Sequence, residues 1–243
     1  MKSFPYNTFT CSLSGNTFKE DKLTIFGLSK FNIRMAQWLC DRDTLDHRYH
    51  SVRLEWLNDE IRDIKVLRDG YYDLWIARPE KVKNDPLLSQ GMYLPIAKYP
   101  GYTSYLISLN NQPELTQSFL EAQIIGISED PDSLSGHIIP ISRIRSETGL
   151  SKSGLNVKEL YGHSTIRDKL ASGEVTVIAS YWGEDDRKRY PHARLLALSD
   201  VLEGDHWYLK KDLLNSTVHC EIEKALLELA KNSTNVYFKS IEL

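Results

Sequence analysis

Apolar runs and amphipathic segments alternate along the first third of the chain. Three segments are apolar throughout or alternate with period two, which predicts strands, and the two segments between them have the spacing of helices. In chain order these five segments are 22–29, 32–42, 49–57, 58–70 and 72–77. Strands that alternate with helices are typical of βαβ units and of an open, parallel sheet.

The alternation continues in the second half of the chain. A short apolar run at 124–127 predicts a buried strand, a helix is expected to begin near Ser133, and Gly149 follows its end. The segment 160–179 predicts a turn, a short helix and another buried strand. The apolar stripe of 218–231 predicts an amphipathic helix that packs on a core.

The remaining segments carry weaker patterns. We predict an irregular lead-in, a strand-like crossing segment, a short helix, a solvated charged loop, a returning strand and an edge strand. In chain order they are 1–21, 92–109, 113–122, 184–189, 193–198 and 236–238.

Composition narrows the class of protein. The chain has 243 residues, of which 41% are hydrophobic and 26% charged, as in ordinary globular domains. The net charge of −3 gives no support for a nucleic-acid surface, and no apolar run approaches the ~20 residues of a membrane span. The segment 1–7 lacks the apolar core of a secretory signal, so the chain is either a mature fragment or cytoplasmic.

The three cysteines are widely separated and suggest no metal site. Cys11, Cys40 and Cys220 show no C-x-x-C spacing and provide no metal-ligand set. One disulfide plus one thiol is an alternative, but three thiols are the simpler interpretation and the one that we adopt.

A helix start with small hydroxyl residues is the strongest candidate for a binding site. Ser133, Ser135 and Gly136 stand where the first N–H groups of a helix have no partner and the macrodipole is positive. Two hydroxyls and a glycine would let an anion approach the backbone. Serine is also the commonest kind of N-cap, so capping alone is the competing interpretation.

Other candidates follow the predicted strands. In open α/β sheets ligands bind beyond the carboxyl ends of strands, which is where Ser29 and Arg78 fall. Arg78 could bind an anion bidentately, or it could be a solvated loop residue. Tyr102, in the crossing segment, could present its hydroxyl or ring to a ligand, or it could pack a core edge.

Three short motifs resemble one family of binding proteins. Ser133-Leu134-Ser135-Gly136, Gly162-His163-Ser164 and Gly173-Glu174-Val175-Thr176 follow in the order and spacing of PhnD-like substrate-binding proteins of phosphate, phosphite and phosphonate ABC transporters. Leu134, Ser164 and Thr176 stand where that family has a hydroxyl or acidic residue.

The resemblance implies a fold and a division of the chain. The expected fold is the two-lobed type 2 periplasmic-binding-protein fold, in which each lobe is a mostly parallel sheet flanked by helices. Lobe 1 would comprise 22–95 and 193–243, and lobe 2 would comprise 104–180. Hinge segments at about 96–103 and 181–192 would connect them.

The resemblance also implies a function without catalysis. A small anion would bind in an interlobe cleft on Ser133, Ser135, Gly136, His163 and Ser164, for uptake by an ABC-transporter permease outside the cytoplasm. His163 would add a charge-assisted bond if protonated and one donor if neutral. No cofactor, metal or nucleic acid is expected.

Two other uses of the fold remain open at this point. The chain could be a ligand-sensing ectodomain for a sensor kinase, or an accessory binder with no transporter. An enzyme is a further alternative, with Ser133 as nucleophile, His163 as base and Asp130 or Asp132 as orienting acid. The chain contains no G-x-S-x-G elbow, and serines at a helix start need no base to hold an anion.

Overall fold

The chain folds as two units. The computed structural model describes residues 6–13, 21–28, 30–45, 47–57, 70–83, 90–233 and 236–243. Unit 1 contains 1–100 and 203–243, and unit 2 contains 101–202. Two predictions, Ser29 as a ligand contact and the helix over 58–69, lie outside the described residues.

Strands and helices follow one another as the hydrophobic pattern predicts for an α/β protein. The strands are β1 (Tyr6–Ser12), β2 (Lys22–Phe26), β3 (Ser51–Leu57), β4 (Leu74–Ala77), β5 (Tyr93–Lys98), β6 (Ser104–Ser108), β7 (Ile125–Ser128), β8 (Val157–Leu160), β9 (Val177–Tyr181), β10 (Arg194–Ala197) and β11 (His206–Lys210). The helices are α1 (Ile33–Cys40), α2 (Pro79–Val82), α3 (Gln117–Glu121), α4 (Ile139–Thr148), α5 (Gly162–Ala171), α6 (Glu184–Arg189), α7 (Thr217–Lys231) and α8 (Val236–Lys239). Within the described ranges, none of these helices has the length and apolar character that a bilayer crossing requires.

Unit 1 is built on a sheet with the strand order β1-β3-β2-β4-β11-β5. The central strands β3, β2 and β4 are parallel, and the outer pairings are antiparallel. Helix α7 buries the predicted stripe, Ile222, Ala225, Leu226 and Leu229, in the same core as α1. Apolar residues three and four positions apart form one helix face, so this amphipathic helix is confirmed.

A disulfide joins the start of unit 1 to its first helix. Cys11 of β1 and Cys40 of α1 are bonded across a sequence separation of 29, while Cys220 is free and exposed. The preferred prediction of three thiols is therefore wrong. The predicted irregular lead-in contains strand β1, which pairs antiparallel with β3 and brings Cys11 next to Cys40 of α1.

Unit 2 is built on a second sheet with the strand order β10-β6-β9-β7-β8. Strands β9, β7 and β8 are parallel, and β6 runs antiparallel to both of its neighbours. Side chains alternate between the two faces of a strand. Leu106 accordingly packs in one core with Ile144 of α4, and Ile107 packs in another with Ile166 of α5. The helices α4 and α5 therefore cover opposite faces of the sheet.

The predicted charged loop at 184–189 is a helix. Its first turn carries three acidic residues and its last turn three basic ones, which complements the helix macrodipole at both ends. The carboxylate of Asp186 also accepts a hydrogen bond from the backbone N–H of Gly183 (3.0 Å). The order of signs along the charge run, acidic first and basic last, therefore indicates a helix rather than a solvated loop.

The predicted edge strand at 236–238 is helix α8. The rings of Tyr237 and Phe238 both pack against Tyr99, with centroid distances of 5.2 and 5.1 Å. Consecutive residues of a strand point to opposite faces, so a strand could not place both rings on one partner.

The chain passes between the units at 100/101 and again at 202/203. The second position differs from the predicted hinge at 181–192. Strand β10 belongs to unit 2, because it pairs antiparallel with β6 along Arg194–Ala197. That pairing joins segments about 90 residues apart, which a local pattern does not reveal.

Candidate functional site

A π-helical turn, Leu134–Ile138, follows β7 and leads directly into α4. The carbonyl of Ser133 accepts hydrogen bonds from the N–H groups of both His137 and Ile138 (2.9 Å each). Ser133 is also the N-cap, since its Oγ accepts from the N–H of Gly136 (3.2 Å). The oxygen of Ser133 thus has the capping role that we considered as the alternative to anion binding.

Three polar hydrogens of Leu134 and Ser135 remain at this helix start. The N–H groups of Leu134 and Ser135 make no hydrogen bond to any described residue. Ser135 is only 3% exposed, and its hydroxyl has no hydrogen-bond partner in the described part of the chain. Its carbonyl is satisfied, because it accepts from the Oγ of Ser104 (3.1 Å). Buried donors without partners are uncommon, and they indicate a place that another molecule can complete.

Gly136 is required by close packing. A Cβ at this position would lie 2.7 Å from Cβ of Ser128, 2.9 Å from Oγ of Ser133 and 3.1 Å from Cε1 of His163. A side chain here would need at least one of these neighbours to move. The glycine therefore lets the imidazole of His163 lie against the start of the π turn.

His163 is held as a neutral imidazole. It lies in the first turn of α5, and its Nδ1 is 2.8 Å from the Oγ of Ser180 on β9. Burial, together with the charge of Arg167, lowers the pKa of His163 from about 6.5 to about 3. Of the two states considered from the sequence, the neutral one applies at physiological pH. Its Nε2 makes no hydrogen bond to any described residue.

A buried arginine, Arg167, packs on the same tyrosine ring as the imidazole of His163. Arg167 donates from Nη2 to the carbonyl of Tyr181 (2.8 Å), and its guanidinium lies 4.5 Å from the centre of the Tyr181 ring. That ring in turn packs edge-on against His163, with centroids 4.8 Å apart. The Nε of Arg167 pairs with Oδ1 of Asp186 at 2.8 Å. Sequence reasoning missed this group, because Asp186 was assigned to a solvated loop.

The structure brings some of the predicted contacts together in unit 2. Ser133, Ser135, Gly136 and His163 meet at the helix start. Tyr102 is partly buried. Its ring packs against Tyr181, whose ring also contacts His163, and the centroids of Tyr102 and Tyr181 are 6.0 Å apart. Ser164 is exposed beside His163 on α5, and Ser29 lies outside the described residues.

Arg78 belongs to unit 1. It follows β4 at the N-cap position of α2 and is only 6% exposed, so the alternative of a solvated loop residue is wrong. Its Nε lies 3.9 Å from the carboxylate of Glu80. Its role in binding stays a prediction.

The catalytic alternative finds no geometric support. The Oγ of Ser133 is engaged by Gly136, and His163 is bonded to Ser180 rather than to Ser133. A nucleophile needs its base within hydrogen-bond reach, and the described residues show no such bond between Ser133 and His163. Ser180 has no exposed surface, so a substrate could not reach its hydroxyl. No group of three His, Cys, Asp or Glu in the described ranges could hold a metal ion.

Comparison of the sequence with known proteins does not assign a family. No protein-family model matches the chain. A stretch of 66 residues, 26% of the chain, is 32% identical to part of the methionine–tRNA ligase of Sulfurisphaera tokodaii. The match spans only 12% of the length of that ligase.

Comparison of the structure identifies the fold. XAC2383 from Xanthomonas citri bound to ATP is 11% identical, with a TM-score of 0.53 over 87% of this chain and 84% of that one. PhnD1 from Prochlorococcus marinus (MIT 9301), in complex with methylphosphonate, is 16% identical, with a TM-score of 0.52 over 85% and 84%. The substrate-binding protein of an ABC transporter from Agrobacterium tumefaciens is 13% identical, with a TM-score of 0.51 over 93% and 80%. At these identities the likeness concerns the fold, and it confirms the predicted α/β class with a sheet in each unit.

Proposed function

We propose that this chain is a non-catalytic solute-binding protein that holds a small oxyanion at the start of the π turn in unit 2. The proposal rests on one observation: at this helix start the N–H groups of Leu134 and Ser135 and the hydroxyl of Ser135 have no hydrogen-bond partner among the described residues. The ligand would be a phosphonate, a phosphate-like anion or a carboxylate.

A bound oxyanion would supply the hydrogen-bond acceptors that these N–H and O–H groups lack. Each of these donors would gain an acceptor, and a hydrogen bond to a charged group contributes about 1.5–3 kcal/mol. The positive end of the helix macrodipole adds favourable electrostatics for a negative group. Ser133 can contribute as well, because its oxygen accepts from Gly136 while its own proton stays available.

His163 would contribute a neutral contact. With its pKa near 3 it carries no charge at physiological pH, and its Nδ1 is already held by Ser180. Its Nε2 is therefore the atom that can reach a ligand. Ser164, Tyr102, Arg78 and Ser29 remain predicted contributors.

The structural likenesses support the same use. One similar structure contains methylphosphonate and another belongs to an ABC transporter, so we propose a permease as the partner of this chain. We also propose an extracytoplasmic location, which fits the Cys11–Cys40 disulfide because such bonds persist in oxidising compartments.

A thermal-shift screen tests the proposal. The probes are phosphate, methylphosphonate, sulfate, acetate and arginine, and an anion present at 100 times its Kd should stabilise the fold by about 2.7 kcal/mol. Ser135→Ala should weaken the response. Ser146→Ala, an exposed serine near the other end of α4, is the matched control and should respond like the parent protein. A chain whose melting temperature no anion moves, or a Ser135→Ala variant with unchanged affinity, contradicts the proposal.

A further inference from the structure

Ser180 is a buried residue that contacts His163 of the proposed anion site. Its side chain is 0% exposed on β9, and its hydroxyl has one hydrogen-bond partner in the described residues, Nδ1 of His163 at 2.8 Å. Seventeen residues separate the two in sequence, so the contact depends on the packing of α5 against the sheet.

Two arrangements of hydrogens would satisfy that distance. Nδ1–H could donate to Oγ, or the hydroxyl of Ser180 could donate to a bare Nδ1. In the first arrangement the hydroxyl proton would point into a fully buried region with no acceptor among the described residues. The second arrangement satisfies this buried hydroxyl and places the remaining N–H on Nε2, at the side of the proposed ligand, so it is the favoured one.

We infer that Ser180 fixes His163 in the tautomer that carries its proton on Nε2, so that the imidazole faces the ligand as a hydrogen-bond donor. This inference rests on the proposed function and makes Ser180 a positioning residue for specificity. The ring atom next to Gly136 is Cε1, which is bonded to both nitrogens, and Nε2 is the one of the two that Ser180 leaves free.

The proposed site would then present only hydrogen-bond donors, and no acceptors, at fixed positions. Leu134 N–H, Ser135 N–H and His163 Nε2–H each require an acceptor. Such a set favours an oxyanion that has lost its protons, such as a sulfonate or a phosphonate dianion. A ligand that presents its own O–H to His163 would meet a second donor there.

The tautomer can be measured without any ligand. Two-bond ¹H–¹⁵N correlation spectra of histidine-labelled protein distinguish a bare Nδ1 from a protonated one, and a His163→Gln variant assigns the signal. The parent protein should show Nε2–H. Ser180→Ala should relax that preference, and Ser180→Thr, which keeps the hydroxyl, should restore it. An Nδ1–H tautomer in the parent, or an unchanged ratio in Ser180→Ala, overturns the inference.

The effect on binding is measured by calorimetry with methanesulfonate and with methylphosphonate above its second ionisation. Ser180→Ala should lower the affinity for both probes by the fraction of the Nε2–H tautomer that is lost, about twofold if the two tautomers become equally populated. Ser180→Thr and Ser108→Ala, another buried strand serine of unit 2, should bind like the parent. A normal tautomer without binding of either probe contradicts the proposed function alone. Binding of both probes with an unchanged affinity in Ser180→Ala contradicts the positioning role alone.

Discussion

Asp186 and Arg167 form an ion pair in which the carboxylate Oδ1 lies 2.8 Å from the guanidinium Nε. Their side chains are 18% and 9% exposed, so water screens the attraction between the two charges only weakly. The same carboxylate caps α6 through the N–H of Gly183. The side chain of Asp186 therefore fixes both the start of α6 and the position of Arg167, whose charge acts on His163.

Replacing Asp186 by Asn should destabilise unit 2. Asn keeps a hydrogen-bond acceptor for Gly183 but removes the charge, and Arg167 is left uncompensated in a buried position. Breaking a buried pair costs about 3–5 kcal/mol, and the partial exposure of Asp186 favours the lower end of that range. Urea denaturation followed by circular dichroism measures the change in the free energy of unfolding.

The control for that prediction is an exposed ion pair on the same helix. Glu184 and Lys188 are 76% and 69% exposed, so water screens their attraction. Glu184→Gln should leave the unfolding midpoint almost unchanged. Equal effects of Glu184→Gln and Asp186→Asn would show that the buried position of Arg167 has no special cost.

The neutral state of His163 should make the stability of the chain depend on pH. Its pKa is lowered to about 3 by burial first and by Arg167 second, whereas the unfolded chain has the ordinary value near 6.5. Between these values the unfolded state binds more protons, so stability falls as the pH drops from about 6.5 towards 3 and is fully present above that window. The contribution is at most about 1.4 kcal/mol per pH unit.

Comparison with His163→Gln isolates this contribution, because the other titrating groups are common to both proteins. The difference in unfolding free energy between the parent and the variant should shrink as the pH falls from 7 to 4.5. A difference that stays constant over this range would mean that His163 titrates normally in the folded state.

The sequence predicted those features that depend on neighbours along the chain. The helix start at Ser133, its end at Gly149 and the apolar stripe of α7 are all visible as local spacing, and the structure contains each of them. Gly149 has a φ of 74°, a left-handed conformation that glycine adopts at helix ends.

Features that depend on long-range pairing were not predicted. Strand β1 forms because 6–12 aligns with β3, and its polar residues gave no period-two signal. The contact between Ser180 and His163 requires β9 and α5 to pack, and no motif marks it. The same limit explains why the sequence offered both a protonated and a neutral His163, since burial and the nearby Arg167 decide between them.

The disulfide should account for much of the stability of unit 1. It closes a loop of 29 residues, and the loss of unfolded-state entropy for such a loop corresponds to about 3–4 kcal/mol. A Cys11→Ser/Cys40→Ser double variant should lose this amount in denaturant titrations, as should the parent after reduction. Cys220→Ser is the control, and it should match the parent because that thiol is free and exposed. A double variant as stable as the parent would contradict the assignment.

Gly136→Ala tests the packing that brings His163 to the helix start. The new Cβ would lie 2.7 Å from Ser128 Cβ, 2.9 Å from Ser133 Oγ and 3.1 Å from His163 Cε1, and relieving such contacts costs about 1–3 kcal/mol. Gly154→Ala is the matched control, because its nearest neighbour would be 3.9 Å away. We expect Gly136→Ala to lower the melting temperature and to displace the imidazole, so that the His163 signal shifts in ¹⁵N spectra. If Gly136→Ala melts like Gly154→Ala and the His163 signal is unmoved, the helix start has room that the structure does not show, and the close approach of His163 is wrong.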